Sequence, residues 1–133
     1  MVRVAVLNEL HMDVFGDGVP ALFVHGSFGW GLETFPDQRA LADQYQVFLI
    51  DRRGFGGSRS LEAEGWPVDM HDVAALLDDA GPAHMVGQSY GAVVVLLAQR
   101  AFDRTVSGRS WRSSRRRLRS REAMPTRTLR LLL

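Results

Sequence analysis

Cysteine is absent from this sequence, which excludes disulfide staples, thiolate nucleophiles and thiolate metal ligands and leaves the compartment unreadable from redox usage. Lysine is absent too, all 16 basic residues being Arg. Isoleucine occurs once, at Ile50, among abundant Ala, Gly, Val and Asp, the bias of GC-rich coding sequence. No apolar run approaches the ~20 residues that span a bilayer. The start, Met1 to Leu7, meets Asn8 and Glu9 too soon to be the core of a secretion signal. The expectation is a cytoplasmic chain that does not enter a membrane. Histidine is scarce: His11, His25, His71 and His84 are the whole supply.

What is present fits one domain with a modest core in 133 residues. The net charge of +1 conceals a split. Residues 1–102 carry six Arg against thirteen acids, and residues 103–133 carry ten Arg against Asp103 and Glu122. A break of this kind divides the chain into a core, 1–102, and an Arg-rich tail, 103–133.

Within the core, Val2–Leu7 and Leu10–Phe15 read as short strands, the second alternating Leu10, Met12 and Val14 with His11 and Asp13. Gly16-Asp17-Gly18 then turns the chain. Ala21–Val24 and Val47–Ile50 are continuous apolar runs, as in strands buried on both faces. Glu33–Tyr45 reads as a helix with Pro36 in its first turn, and Val68–Ala80 as a helix stopped by Gly81-Pro82. Arg52–Ser60 is a Gly-rich loop. Strands alternating with helices imply parallel crossover units in an α/β sheet, with ligands at the carboxyl ends of the strands.

Gly87-Gln88-Ser89-Tyr90-Gly91 is a G-x-S-x-G pentapeptide between the apolar run 83–86 and the helical run 92–98. Strand, sharp turn and helix is the context of a nucleophile elbow, in which small residues two before and two after the Ser give clearance. Ser89 Oγ then projects from the sheet, and the start of the following helix offers unpaired N–H groups to a developing oxyanion. Gly26-Ser27-Phe28-Gly29-Trp30-Gly31 has its glycines in the wrong order for a dinucleotide-binding turn.

Taken together, Val24-His25-Gly26-Ser27, Asp51-Arg52-Arg53-Gly54-Phe55-Gly56-Gly57-Ser58 and Gly87–Gly91 resemble the α/β-hydrolase superfamily, in order and spacing, over residues 1–102. The resemblance implies a partial α/β-hydrolase sheet, mostly parallel, with helices on both faces and truncated after the elbow helix. It implies Ser89 as nucleophile, with the backbone N–H of Tyr90 and that of Ser27, or of Phe28 if the register differs, as oxyanion donors. A Ser nucleophile points to acyl transfer on a small ester, thioester, lactone or C–C bond substrate, and away from the alkyl-enzyme route of epoxide-hydrolase-like relatives. No metal or organic cofactor is implied. His25 and the segment Asp51–Ser58 are expected to serve structure, and the oligomeric state is left open.

The family's triad runs Ser, acid, His. After Ser89 come only Asp103 and Glu122, and no His. His84 belongs at the far end of the elbow strand, and His71 reads as a solvated helix residue. The chain is therefore expected to lack turnover, and the elbow strand to be an open edge. Residues 111–117, Arg-Ser-rich and without period, have the composition of a GC-rich sequence read out of frame. One permitted choice of codons for 103–113, read one frame over, restores an apolar run. A frame change near Phe102 is the expected origin of the tail. The alternative is a non-catalytic protein whose Arg-rich arm binds nucleic acid or an anionic surface. One aromatic residue and the apolar end Leu129–Leu133 argue against that.

Overall fold

A computed structural model describes residues 3–7, 9–108 and 129–132. Strands β1 (Arg3–Leu7), β2 (Leu10–Phe15), β3 (Val19–Val24), β4 (Tyr45–Ile50), β5 (His84–Gln88) and β6 (Leu129–Leu132) form one sheet in the order β1-β2-β4-β3-β5-β6. The first two junctions, β1 with β2 and β2 with β4, are antiparallel, and the remaining three are parallel. The helices are α1 (Gly31–Thr34), α2 (Trp66–Ala80) and α3 (Tyr90–Gly108).

Alternation along the strands sorts the core into two layers. Leu22 and Val24 of β3, Ile50 of β4 and Met85 of β5 pack with Val73, Leu76 and Leu77 of α2 and Val94, Val95 and Ala98 of α3. The intervening residues Ala21, Phe23, Val47 and Leu49 face the other way, onto Phe15 and Phe35. Both faces of β3 and β4 are thus covered, which is why these strands read as unbroken apolar runs. Burying each such aliphatic side chain stabilises the fold by about 1.5–3 kcal/mol.

Two expectations are corrected. The helix expected over Glu33–Tyr45 is instead the single turn α1 followed by a 3₁₀ segment, Gln38–Asp43, with Tyr45 already in β4. Pro36 is the cause: it has no N–H and disfavours helical backbone at the residue before it, and Phe35 sits at φ −126° and ψ 62°. Nor is the elbow strand an open edge, because β6 pairs in parallel along β5 from Met85 opposite Leu129 to Gln88 opposite Leu132. The sheet continues by one strand past the elbow helix, and α3 runs beyond Phe102 to Gly108. The Arg-rich stretch 109–128 lies outside the described residues.

The topology marks where a ligand would bind. From β3 the chain passes to β4 on one side, and from β4 it crosses through α2 to β5 on the other side of β3. From β5 it leads through α3 towards β6. The segments leaving the carboxyl ends of the neighbours β3 and β5 therefore depart in opposite directions, the arrangement that opens a ligand-binding crevice in such sheets.

Candidate active site

Ser89 stands at the junction of β5 and α3 with φ +52°, one of two non-Gly residues of positive φ among those described, the other being Glu9 in the β1–β2 turn. An L-residue in that region costs of order 1–3 kcal/mol and persists only where its surroundings enforce it. Here the surroundings are close. A Cβ on Gly87 would lie 2.5 Å from the Ala92 Cα and from the Gly91 carbonyl oxygen. One on Gly91 would overlap the Val24 carbonyl oxygen and come within 2.6 Å of that of His25. The two glycines let the turn pack against the end of β3, and Ser89 is left exposed. Ser89 O accepts the Ala92 N–H at 2.9 Å, so the helix is already winding. The N–H groups of Tyr90 and Gly91, at its first positions, have no intrahelical acceptor.

The loop after β3 runs beside this turn. A Cβ on Gly26 would strike the Gln88 side chain and lie 3.2 Å from the Ser89 Cβ, which brings the Gly26–Ser27 peptide next to the elbow. Ser27 is exposed, as is Trp30, and Phe28 is fully bare at 102 % relative accessibility.

Behind the loop lies a buried polar cluster. His25 has no exposed surface. Its Nδ1–H donates to the Gly26 carbonyl at 2.8 Å, and its Nε2 accepts the Arg52 backbone N–H at 3.0 Å. That pattern fixes a neutral imidazole with both nitrogens engaged, and burial holds its pKa below the ordinary His value. The Arg52 guanidinium donates from Nε to the His25 carbonyl (3.2 Å), from Nη2 to the Gly26 carbonyl (2.6 Å) and from Nη1 to Asp69 Oδ2 (2.9 Å). It lies between the rings of Phe55 and Tyr90, 4.5 Å from each centroid. The Tyr90 hydroxyl donates to the same Asp69 oxygen at 3.0 Å. Burial, and then that bond, push the phenol pKa up.

A second cluster joins the Gly-rich turn to β2. Asp51 Oδ1 accepts the Gly31 N–H at 2.7 Å, and Oδ2 accepts the Gly57 N–H at 2.8 Å and the His11 Nδ1–H at 3.0 Å. Ser58 Oγ donates to the Asp51 carbonyl and accepts the His11 N–H. Arg53 pairs with Asp72 through Nε and Nη2, at 2.6 and 3.2 Å. Arg52 apart, these contacts of the segment Asp51–Ser58 hold the Gly-rich turn to β2 and α2.

Sequence reasoning missed the side chains of Arg52, Asp69 and Tyr90 as one unit. The sequence places Arg52 in a loop, and Asp69 is the acid in the first turn of α2. The available signal was an Arg directly after the Asp that ends a buried strand, with an Asp in the first turn of the next helix.

None of the described His residues is hydrogen-bonded to Ser89. His25 and His11 are engaged as above, and His71 is exposed on α2. His84 packs on Tyr45 at the opposite end of β5, roughly 16 Å along the strand from Ser89. Among the described residues there is no cluster of His, Cys, Asp and Glu that could hold a metal, and no helix long and apolar enough to cross a membrane.

Comparison with known proteins places the fold. An epoxide hydrolase from Vigna radiata is 28% identical with a TM-score of 0.58, over 74% of this chain and 34% of its own. An esterase from a marine microorganism is 25% identical with a TM-score of 0.63, over 71% of this chain and 37% of its own. An alpha/beta hydrolase fold protein from Burkholderia ambifaria shares the fold at 23% identity and a TM-score of 0.61, over 73% of this chain and 38% of its own. The chain therefore spans well under half the length of these structures. No curated protein matches it. The sequence model of the alpha/beta hydrolase family matches residues 21–131, and this chain belongs to that family.

Proposed function

We propose that the chain carries the nucleophile half of a serine-dependent acyl-transfer site. The observation that supports this best is Ser89 itself: an exposed residue at φ +52°, packed in place by Gly87 and Gly91 just past the carboxyl end of β5. In the reaction Ser89 Oγ attacks the carbonyl carbon of a small ester, thioester, lactone or C–C bond substrate, its proton leaves to a base, and the tetrahedral intermediate then expels the oxygen, sulfur or carbon leaving group, which takes up a proton. The carbonyl oxygen takes up negative charge facing the backbone N–H groups of Tyr90 and Ser27, each such donor being worth about 3–4 kcal/mol in the transition state. The alkyl-enzyme route of epoxide hydrolysis needs a carboxylate nucleophile, and the elbow here holds a hydroxyl. The esterase likeness fits the reading.

The base is what the described residues lack. Without one, only oxyanion and binding contributions remain, and turnover is negligible. The test is labelling of the full chain by a fluorophosphonate, read by intact mass, with and without added imidazole as a substitute base. Slow labelling that imidazole accelerates and Ser89→Ala abolishes is expected. Labelling elsewhere, or none in either condition, would remove Ser89 from the role.

A further inference from the structure

The two proposed oxyanion donors sit on separate segments, the loop after β3 and the start of α3. Nothing about the elbow alone fixes the distance or angle between them. Yet a single guanidinium touches both segments. Two hydrogen bonds, from Arg52 Nη2 and His25 Nδ1, converge on the Gly26 carbonyl oxygen at 2.6 and 2.8 Å. The other end of that peptide is the Ser27 N–H. In a planar trans peptide the C=O and N–H point in opposite directions, so gripping the oxygen from the buried side aims the N–H outward. A charge-assisted bond to the carbonyl also polarises the amide and strengthens the opposite N–H as a donor. On the α3 side, Arg52 lies on the Tyr90 ring and shares Asp69 Oδ2 with the Tyr90 hydroxyl, which fixes the residue whose own N–H is the second donor.

We infer that Arg52, held by Asp69, is a positioning residue for oxyanion stabilisation: it orients and polarises the Ser27 N–H through the Gly26 carbonyl and anchors Tyr90 beside it. Arg52 does not touch substrate. His25 completes the grip from the same side and uses its remaining nitrogen to take the Arg52 backbone N–H, so the loop, the residue after Asp51, and the elbow form one rigid unit. A Lys at position 52 would keep the charge opposite Asp69 but would lack the fork that spans two carbonyls and a carboxylate at once.

The inference rests on Ser27 and Tyr90 being the oxyanion donors, so its test separates the two claims. The full chain, with imidazole present, is acylated by p-nitrophenyl acetate and by its thiono analogue, in which sulfur replaces the carbonyl oxygen. Acylation of Ser89 is followed by intact mass in single turnover, with folding checked by circular dichroism. Arg52→Met is expected to lower the maximal rate with the oxygen ester by roughly 10²-fold, the scale of one lost donor, while the half-saturating concentration stays within about twofold. The thiono ester, whose sulfur gains little from N–H donors, should slow far less, so that the oxygen-to-sulfur rate ratio collapses. A residue that merely supports the fold would slow both substrates together. Because Arg52→Met leaves Asp69 buried without its cationic partner, Arg52→Lys and Tyr90→Phe provide milder breaks, expected to lower the oxygen-ester rate by about tenfold and about threefold with the same loss of ratio. Folded variants whose rates fall equally for both esters, or do not fall, would overturn the inference. Failure of Ser89 to be acylated in the unaltered chain would overturn the nucleophile assignment, a different and recognisable result.

Discussion

Two polar clusters sit side by side at the carboxyl ends of the central strands, and they are built differently. Around Asp51, one carboxylate collects two backbone N–H groups and an imidazole, tying α1 and the Gly-rich turn to β2. Around Arg52, one guanidinium distributes its donors to two carbonyls and a carboxylate, tying the β3 loop to α2 and α3. The first closes on itself and ends in the turn. The second ends on the carbonyls of the loop beside Ser89 and on the Tyr90 ring. Neighbours in sequence thus divide the labour: position 51 stabilises the scaffold, and position 52 aims the site.

Breaking the shared frame should have the largest effect. Gly91→Ala puts a methyl group onto the Val24 carbonyl, and a loss above ~4 kcal/mol is expected, visible as absence of a cooperative transition in thermal circular dichroism. Asp51→Ala orphans two N–H groups and His11 and should cost about 3 kcal/mol by urea titration. In the folded fraction, however, it should leave the oxygen-to-sulfur acylation ratio intact, in contrast to Arg52→Met. If Asp51→Ala alters that ratio as strongly, the division between the two clusters fails.

A smaller effect distinguishes the clusters by pH. Burial depresses the folded-state pKa of His25, so in acid the unfolded chain binds its proton first. Stability from His25 is therefore whole above about pH 6.5 and is lost as pH falls from there through the folded pKa, by at most about 1.4 kcal/mol per pH unit. Urea midpoints at pH 7.5, 6.5 and 5.5 should decline across this window, and replacing His25 by Asn should flatten the decline. Asp13, whose pKa burial raises, works with the opposite sign: its contribution to stability increases as pH falls. The smallest effect belongs to the loop after β3, where Phe28 makes no buried contact to lose. Phe28→Ala should change stability by less than about 0.5 kcal/mol in the same titration.

These contrasts mark what the sequence could and could not reveal. The elbow was legible because its requirement is local: two glycines two residues either side of Ser89, between an apolar strand and a helix. The runs 21–24 and 47–50 were legible because both faces of their strands are buried. The Arg52–Asp69–Tyr90 unit was not, since its members are 17 and 21 residues apart and meet only once α2 crosses from β4 to β5. The break at Pro36 shows the reverse, a local signal present in the sequence and outweighed there by helical spacing. The strand β6 was hidden by composition, because Arg130 and the surrounding Arg-rich text obscured a short apolar segment whose role depends on the free edge of β5.

The strand order carries a consequence for synthesis. β3 is central in the finished sheet, but its two partners are made at different times: β4 follows within about 20 residues, whereas β5 begins about 60 residues after β3 ends. At translation rates of roughly 5–20 residues per second, one edge of β3 waits some seconds on the ribosome with its backbone groups unpaired. A nascent chain in that interval presents an unpaired strand edge, the kind of edge on which other chains can add a strand.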